Sequence, residues 1–328
     1  MNEKGIHRRG LLAAGAGAWL AAPAIGRAAT EYPGGQTVQI VIPYAPGGVP
    51  DILGTILTRG LAQRLGGTFV MYHRPGASTT LAGRLVAHAK PDGLTLLMGT
   101  VTTFTTAQYA LRDPGFDPLA DFVHATLIAD TLFVLAAYPR WESFDALVAA
   151  AKQRPNALSY ATWGVGTTAH LMMLDLMART GTEMLHVPYS GAPPALTDTI
   201  AGRTDLMFST VAPAKPHIES GRLRGFAITA AKRSEALPLV PTMAEIGIAD
   251  FSAPGWFTVS APAGTPPEIV AKIEQASIET FAEPEARARL ENLGLAPAEP
   301  GHEALLARLT REAATNRELF RRAGIEPE

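Results

Sequence analysis

Three short loops contain the residues whose types and spacing could bind a small anion. Residues 46–51 read Pro-Gly-Gly-Val-Pro-Asp, residues 163–170 read Trp-Gly-Val-Gly-Thr-Thr-Ala-His, and residues 188–195 read Pro-Tyr-Ser-Gly-Ala-Pro-Pro-Ala. Glycines let the backbone approach a ligand closely, and unpaired N–H groups at the start of a following helix attract negative charge. None of the three loops contains Lys or Arg. We therefore expect an anion to be bound by backbone amides and hydroxyls, without ion pairs.

Two side chains in these loops have two interpretations each. Asp51 falls in the first turn of the predicted helix after its loop, where it either caps the helix or accepts a hydrogen bond from an amine or hydroxyl of a ligand. Tyr189 stands beside a glycine turn at the end of a predicted strand, where a tyrosine either lines a pocket or packs against its neighbours. The sequence leaves both pairs of alternatives open.

Other kinds of chemistry have less support. Residues 164–169 match a G-x-G-x-x-A pattern, but a dinucleotide site also needs a carboxylate at the end of the next strand, and residues 186–189 contain none. The eight histidines show no metal-binding spacing, and the absence of cysteine excludes disulfides and thiol catalysis. The formal net charge of −2 argues against a nucleic-acid partner. We expect no cofactor and no metal.

A hydrolase is the enzymatic alternative to a binding protein. His170, Asp198 and Ser190 are the residue types of a hydrolytic set. Ser190, however, lacks the G-x-S-x-G turn that exposes a nucleophilic serine, and His170 falls in a first helical turn, where a buried structural histidine is common. The hydrolase therefore stays the weaker interpretation.

The elements that must position these loops alternate between strands and helices. Such alternation is typical of an α/β protein whose mostly parallel sheets carry helices on both faces, with ligand-binding loops at the carboxyl ends of the strands. The predicted strands cover residues 38–44, 69–72, 94–99, 132–137, 158–162, 184–188, 205–209, 223–229 and 258–261. The predicted helices cover residues 51–65, 79–89, 143–153, 168–179, 192–201, 266–281, 284–292 and 302–322.

The first 28 residues are typical of an export signal. His7, Arg8 and Arg9 precede an uncharged run of about 16 residues, which is too short to span a membrane, and small residues follow it. The adjacent arginines fit a twin-arginine signal, and ordinary Sec export is also open. Cleavage after Ala28 would remove four of the 28 basic residues and one of the 30 acidic ones, leaving 300 residues with a net charge of −5. No second long apolar run follows, so we expect a soluble protein in the periplasm.

Eight motifs in a fixed order resemble one protein family, the Bug-type periplasmic solute-binding receptors of tripartite tricarboxylate transporters. Among them, residues 42–51 are similar to the P-F-x-P-G-G-x-x-D motif of that family, residues 74–77 to N-R-P-G-A, and residues 89–97 to A-x-P-D-G-Y-T-L-L. The other five lie at residues 164–171, 186–191, 233–234, 240–247 and 261–266. The resemblance implies a two-lobed Venus-flytrap fold with a discontinuous first lobe (29–129 and 256–328) and a second lobe (130–255). Closure is expected near residues 128–132 and 250–256.

The resemblance also implies a function: a small carboxylate held in the interlobe cleft and delivered to membrane transporter subunits by a monomeric receptor. A ligand-sensing subunit of a signalling system would share this fold and is the alternative. Carried onto this chain, the implied ligand-binding residues are Gly47, Gly48, Asp51, Thr100, Thr102, Thr103, Gly166, Thr167, Thr168, Tyr189, Ser190, Gly191, Asp205 and Ser209. Residues 99–105 are threonine-rich and lack the Asn that is common in the family, which puts the identity of the ligand in question.

Overall fold

The computed structural model describes Met1 and residues 31–230, 232–251 and 255–322. Beyond Met1, the predicted export signal therefore lies outside the described residues. Within the part of the chain that the structure describes, no helix combines the length and the apolar character needed to cross a membrane.

Two sheets organise the described chain. The first has the strand order β11-β4-β10-β3-β1-β2, and the second has the order β7-β6-β8-β5-β9. The strands of the first sheet are β1 (Thr37–Ile42), β2 (Thr68–His73), β3 (Thr95–Thr100), β4 (Phe122–Thr131), β10 (Trp256–Pro262) and β11 (Leu295–Pro297). Those of the second are β5 (Phe133–Ala137), β6 (Ser159–Thr162), β7 (Leu185–Pro188), β8 (Leu206–Thr210) and β9 (Arg224–Ile228).

Ten α-helices belong to the described residues. They are α1 (Val49–Leu65), α2 (Thr80–Ala87), α3 (Ala107–Ala110), α4 (Phe144–Gln153), α5 (Thr168–Thr180), α6 (Ala192–Ile200), α7 (Val211–Glu219), α8 (Pro267–Ala282), α9 (Pro284–Asn292) and α10 (His302–Arg322). Helix α7 does not appear among the sequence predictions because Pro213 and Pro216 interrupt its pattern. The threonine-rich run Thr102–Thr106 forms a π-helical turn before α3, where the sequence suggested a loop.

Helices cover both faces of the first sheet because its strands are apolar on both sides. Ile40 and Ile42 of β1 pack with Leu53 and Leu57 of α1. Val41 points to the opposite face, which α2 and α10 cover. The second sheet is arranged in the same way, with α4 and α5 on one face and α6 on the other. This layering follows from the alternation of side chains along each strand.

Both sheets are mixed. In each sheet, parallel pairing is confined to three neighbouring strands: β3-β1-β2 in the first sheet and β7-β6-β8 in the second. The other pairs, which involve β4, β5, β9, β10 and β11, are antiparallel. A parallel pair needs a crossover connection, usually a helix, and β5, which enters the second sheet directly from β4, arrives without one. The prediction of mostly parallel sheets therefore holds on one side of each sheet only.

The chain passes between the sheets at two places. Between Thr131 at the end of β4 and Phe133 at the start of β5 there is a single residue, Leu132. The chain returns between Ile228 and Trp256, and the backbone N–H of Thr131 donates to the carbonyl of Gly255 over 2.9 Å. The two crossover segments are therefore hydrogen-bonded neighbours. Strand β4 itself was not predicted, because His124, Thr126 and Asp130 break up its apolar pattern.

Candidate functional site

Four helices begin at one cavity, which has an empty volume of about 530 Å³ and lies between the two sheets. We call it the cleft cavity. Its lining includes Gly48, Val49 and Pro50 at the start of α1, Thr168 at the start of α5, Ala192 and Pro193 at the start of α6, and Thr210 before α7. Each helix start carries a partial positive charge. Among the described residues that line the cavity, none has a charged side chain. The cavity is therefore suited to an anion bound by neutral groups.

Hydroxyl groups join the two lobes across the cleft cavity. The Thr102 and Thr168 side-chain oxygens lie 3.4 Å apart, and the backbone N–H of Thr168 donates to the Thr102 hydroxyl over 3.4 Å. On the first-sheet side, the Thr100 hydroxyl lies 3.3 Å from the Tyr44 hydroxyl and 3.2 Å from that of Thr103. Burial raises the pKa of Tyr44, so its phenol stays protonated. Thr100, Thr102 and Thr168 line the cavity, and Thr103 supports Thr100 from behind.

The carboxylate of Asp51 stabilises the loop that leads into α1. One carboxylate oxygen accepts a hydrogen bond from the backbone N–H of Gly47 (3.2 Å), and the other lies 3.0 Å from Nε2 of His73. Nδ1 of His73 lies 3.1 Å from the carbonyl oxygen of Tyr44. Gly47 adopts a φ of 93°, a conformation that favours glycine. Of the two interpretations of Asp51, this geometry favours the structural one: it fixes the shape of the loop before α1.

The second loop, residues 163–170, is held by its own side chains. The backbone N–H of Gly166 donates to Nδ1 of His170 over 3.1 Å, and the Thr167 hydroxyl donates to the carbonyl of Gly164 over 2.7 Å. His170 stacks on His186 with ring centroids 4.1 Å apart. Burial lowers the pKa of His170 to about 3 and that of His186 to about 4. His170 is therefore neutral at neutral pH, and its Nδ1 serves as an acceptor for the loop.

Neither a hydrolytic set nor a metal centre is assembled in the described part of the chain. His170 is bonded to Gly166, whereas Asp198 accepts a hydrogen bond from the Tyr189 hydroxyl (2.8 Å) and pairs with Arg203 (2.6 Å). Ser190 is exposed in the neighbouring loop. No group of three or more His, Asp and Glu residues among those described is placed to hold a metal ion. The three residues of the proposed hydrolase thus have separate structural surroundings.

The third loop faces a second cavity. Tyr189 and Ser190 line a space of about 700 Å³, which we call the side cavity, together with residues 76–79 and 163–165. Tyr44 and Trp163 line both cavities and stand between them. Ala77, Ser78 and Thr79 adopt positive φ angles of 44°, 49° and 76°, and the Ser78 hydroxyl donates across the side cavity to the carbonyl of Val165. Gly191 precedes α6 as its N-cap.

Two further predicted residues, Asp205 and Ser209, line neither the cleft cavity nor the side cavity. Asp205 lies before the amino end of β8, where its carboxylate accepts a hydrogen bond from the backbone N–H of Ser159 (2.8 Å) and pairs with Arg140. Ser209 is fully buried in β8 and donates to the carbonyl of Thr210. Because side chains alternate along a strand, Thr210 lines the cavity and Ser209 does not.

Sequence reasoning missed the residues that the crossover segments, β10 and the end of β8 bring to the cleft cavity. These are Thr131, Phe133, Thr210, Gly255, Trp256 and Phe257. The sequence did show Trp256 and Phe257 beside a Pro-Gly pair, but two aromatic residues in that position are more typical of core packing than of a binding site. Thr131, Phe133 and Gly255 reach the site because the two crossover segments meet there, and no local sequence pattern reveals that meeting.

Comparisons with known proteins agree with this geometry. The family model for tripartite tricarboxylate transporter family receptors matches residues 54–324. Protein BugT of Bordetella pertussis is 34% identical over 256 residues, which is 77% of this chain and 77% of BugT. The periplasmic binding protein BugD has a similar structure, with a TM-score of 0.85 at 31% identity over 89% of this chain and 99% of that chain. An R. palustris protein solved with adipate gives a TM-score of 0.85 at 32% identity, covering 89% and 98% of the two chains. The predicted resemblance and the two-lobed α/β fold are confirmed.

Proposed function

The chain belongs to the receptor family of tripartite tricarboxylate transporters, and from this membership we propose that it captures a small carboxylate in the cleft cavity. The family is one of solute-binding receptors. A relative of the same fold was solved with adipate, a dicarboxylate. A carboxylate ligand is thus consistent with both the family and the cavity.

The convergence of four helix starts on one uncharged cavity carries this proposal. A helix start stabilises a nearby anion by about 0.3–2 kcal/mol, depending on burial. Four such starts, with Thr102 and Thr168 bonded to each other across the cleft, supply the attraction that Lys or Arg would otherwise provide. The ligand-binding residues proposed on this basis are Gly48, Thr100, Thr102 and Thr168, with Gly47, Asp51, Thr103, Gly166 and Thr167 as loop supports.

The cellular setting is part of the same proposal. Residues 1–28 direct export to the periplasm, where the remaining chain binds its ligand and delivers it to membrane subunits of the transporter. The lobes 29–129 with 256–328 and 130–255 close by rotation at the two crossover segments. The receptor works as a monomer, since large exposed apolar side chains among the described residues beyond Met1 are limited to Val70, Tyr72, Leu119, Leu185 and Leu239.

Calorimetric titration tests the ligand class. Protein purified from the periplasm is titrated with a panel of mono-, di- and tricarboxylates, with neutral sugars and peptides as the comparison set. We expect saturable one-to-one binding of at least one carboxylate and none of the sugars or peptides. Binding of a sugar or a peptide, with no response to any carboxylate, would contradict the proposal.

A further inference from the structure

We infer that the ligand of the cleft cavity is an arene monocarboxylate, that is, one carboxylate on an aromatic ring. This inference rests on the proposed function and specifies its substrate class. It comes from the walls of the cavity, which are largely aromatic, whereas the helix starts that attract the carboxylate are polar backbone.

Aromatic side chains line the cleft cavity from both lobes. Tyr44, Trp256 and Phe257 come from the first-sheet side, and Phe133 and Trp163 come from the second-sheet side. Phe133 and Trp163 stack with centroids 5.8 Å apart at an interplanar angle of 23°. Apolar walls on two sides favour an apolar ligand body, since burying apolar surface contributes about 25 cal/mol per Å², and aromatic side chains in both walls favour an aromatic one, since aromatic pairs add to this.

The charge balance of the cavity favours a single carboxylate. No described residue of the lining is charged, so a second carboxylate would be buried without a cation, at a cost of several kcal/mol. The charged groups bonded to the Trp256 wall are already paired: Glu312 accepts a hydrogen bond from the indole N–H of Trp256 and is bonded to Arg308. They therefore support the wall and leave no cation for a second anionic group.

One buried hydroxyl of the described lining has no hydrogen-bond partner. Thr131 is 5% exposed, lines the cleft cavity, and its side-chain oxygen makes no hydrogen bond. Thr100, Thr102 and Thr168 in the same lining are bonded to other hydroxyls. An unsatisfied buried hydroxyl costs about 1–3 kcal/mol, and an oxygen of the bound carboxylate would remove that cost. Thr131 thus brings a hydroxyl without a partner to the edge of the cleft cavity.

Four ligands in one calorimetric series test the inference: benzoate, cyclohexanecarboxylate, adipate and malate. We expect benzoate to bind at least about tenfold more tightly than adipate or malate and more tightly than cyclohexanecarboxylate, which has the same ring size and a single carboxylate without aromaticity. Tighter binding of either dicarboxylate would overturn the inference and leave the proposed function standing. Equal or tighter binding of cyclohexanecarboxylate would overturn the aromatic part. No binding of any of the four, together with no response in the wider carboxylate panel, would overturn both.

A pair of matched variants locates the ring. Phe133 and Phe144 are both buried in the apolar core of the second lobe, but only Phe133 lines the cleft cavity. Phe133→Leu is expected to weaken benzoate binding by about fivefold or more, and Phe144→Leu to leave it unchanged although it also removes a buried ring. Equal effects of the two substitutions would contradict a ring placed against Phe133.

Discussion

The indole Nε1 of Trp256 donates to Oε2 of Glu312 over 2.6 Å, so one wall of the cleft cavity is bonded directly to the C-terminal helix α10. Arg308, one helical turn away, bonds the other oxygen of Glu312 at 2.8 Å and also pairs with Asp130. Asp130 precedes Thr131, and Trp256 follows Gly255. Helix α10 therefore holds the ends of both crossover segments.

Loss of the Glu312 charge should destabilise this junction. Glu312→Gln leaves Arg308 with only Asp130 as its anionic partner, and we expect the free energy of unfolding to fall by about 2 kcal/mol. Denaturant unfolding followed by circular dichroism measures the change. Arg311→Gln, at an exposed position in the middle of the same helix, is the control and should change stability by less than about 0.5 kcal/mol. Equal stability of the two variants would show that the network is not stabilising.

Removal of the Asp51 carboxylate should weaken ligand binding through the loop it holds. Asp51→Ala releases the N–H of Gly47 and the imidazole of His73, so we expect about tenfold weaker carboxylate binding and a stability loss of about 1 kcal/mol. Asp92→Ala removes a similar bond, to the N–H of Leu94, in a turn that does not line the cavity. That control should lose stability without losing affinity. Unchanged affinity in Asp51→Ala would exclude a role for this loop in binding.

Two buried threonines without hydrogen-bond partners distinguish the two cavities. Thr131 lines the cleft cavity and Thr79 the side cavity. Each Thr→Val substitution removes an unsatisfied hydroxyl with almost no change of shape, so both should raise the stability of the free protein by up to about 1 kcal/mol. Only Thr131→Val should weaken carboxylate binding, by about tenfold. Weaker binding in Thr79→Val alone would place the ligand in the side cavity.

Acid should destabilise the protein through its buried histidines. Burial lowers the pKa of His186 and His124 to about 4 and that of His170 to about 3. In the unfolded chain these residues protonate near pH 6.5, so the unfolded state binds more protons as pH falls. Stability is therefore unaffected above about pH 7 and is lost between about pH 6.5 and pH 4. Unfolding free energies measured across this range check the slope.

A variant identifies the source of that slope. His186→Phe keeps an aromatic ring in the stack between Tyr160 and His170 and removes one titrating group, so we expect a shallower decline of stability with falling pH. His88→Gln, at an exposed position, should retain the original slope. A decline of the same steepness in all three proteins would assign acid sensitivity to other groups.

Two glycines of the cleft cavity should differ sharply in their tolerance of alanine. A Cβ at Gly255 would lie 2.3 Å from Cγ2 of Thr131 and 2.6 Å from Cε2 of Phe133, whereas one at Gly48 would meet only Cδ of Pro50 at 3.4 Å. We expect Gly255→Ala to lower stability by about 1–3 kcal/mol and to abolish detectable binding, because the crossover must shift. Gly48→Ala should fold with nearly unchanged stability. Thermal unfolding and calorimetry of both variants provide the comparison.

The sequence alone predicted the parts of the site that are local in the chain. The loops 46–51 and 163–170 precede helices as expected, because glycine turns and apolar strands leave clear patterns. The choice between the two roles of Asp51 needed the position of His73, which lies at the end of another strand. Asp205 begins the predicted strand 205–209 and lies just before β8 in the structure, at the end of the strand opposite to Thr210, which lines the cavity. Thr131 and Trp256 meet only through the two crossovers, so their shared position depends on the tertiary fold.

Because backbone N–H groups form the anion site, mutations can change which ligand this receptor binds without removing that site. No single side-chain replacement deletes an N–H group at the start of α1, α5 or α7, apart from one to proline. Mutation can therefore exchange wall residues such as Phe133 or Trp163 while the helix starts continue to attract a carboxylate group. The backbone thus keeps recognising the carboxylate, while the side chains of the cavity walls can change. One fold can therefore acquire new carboxylate ligands one substitution at a time, and each intermediate still binds a carboxylate.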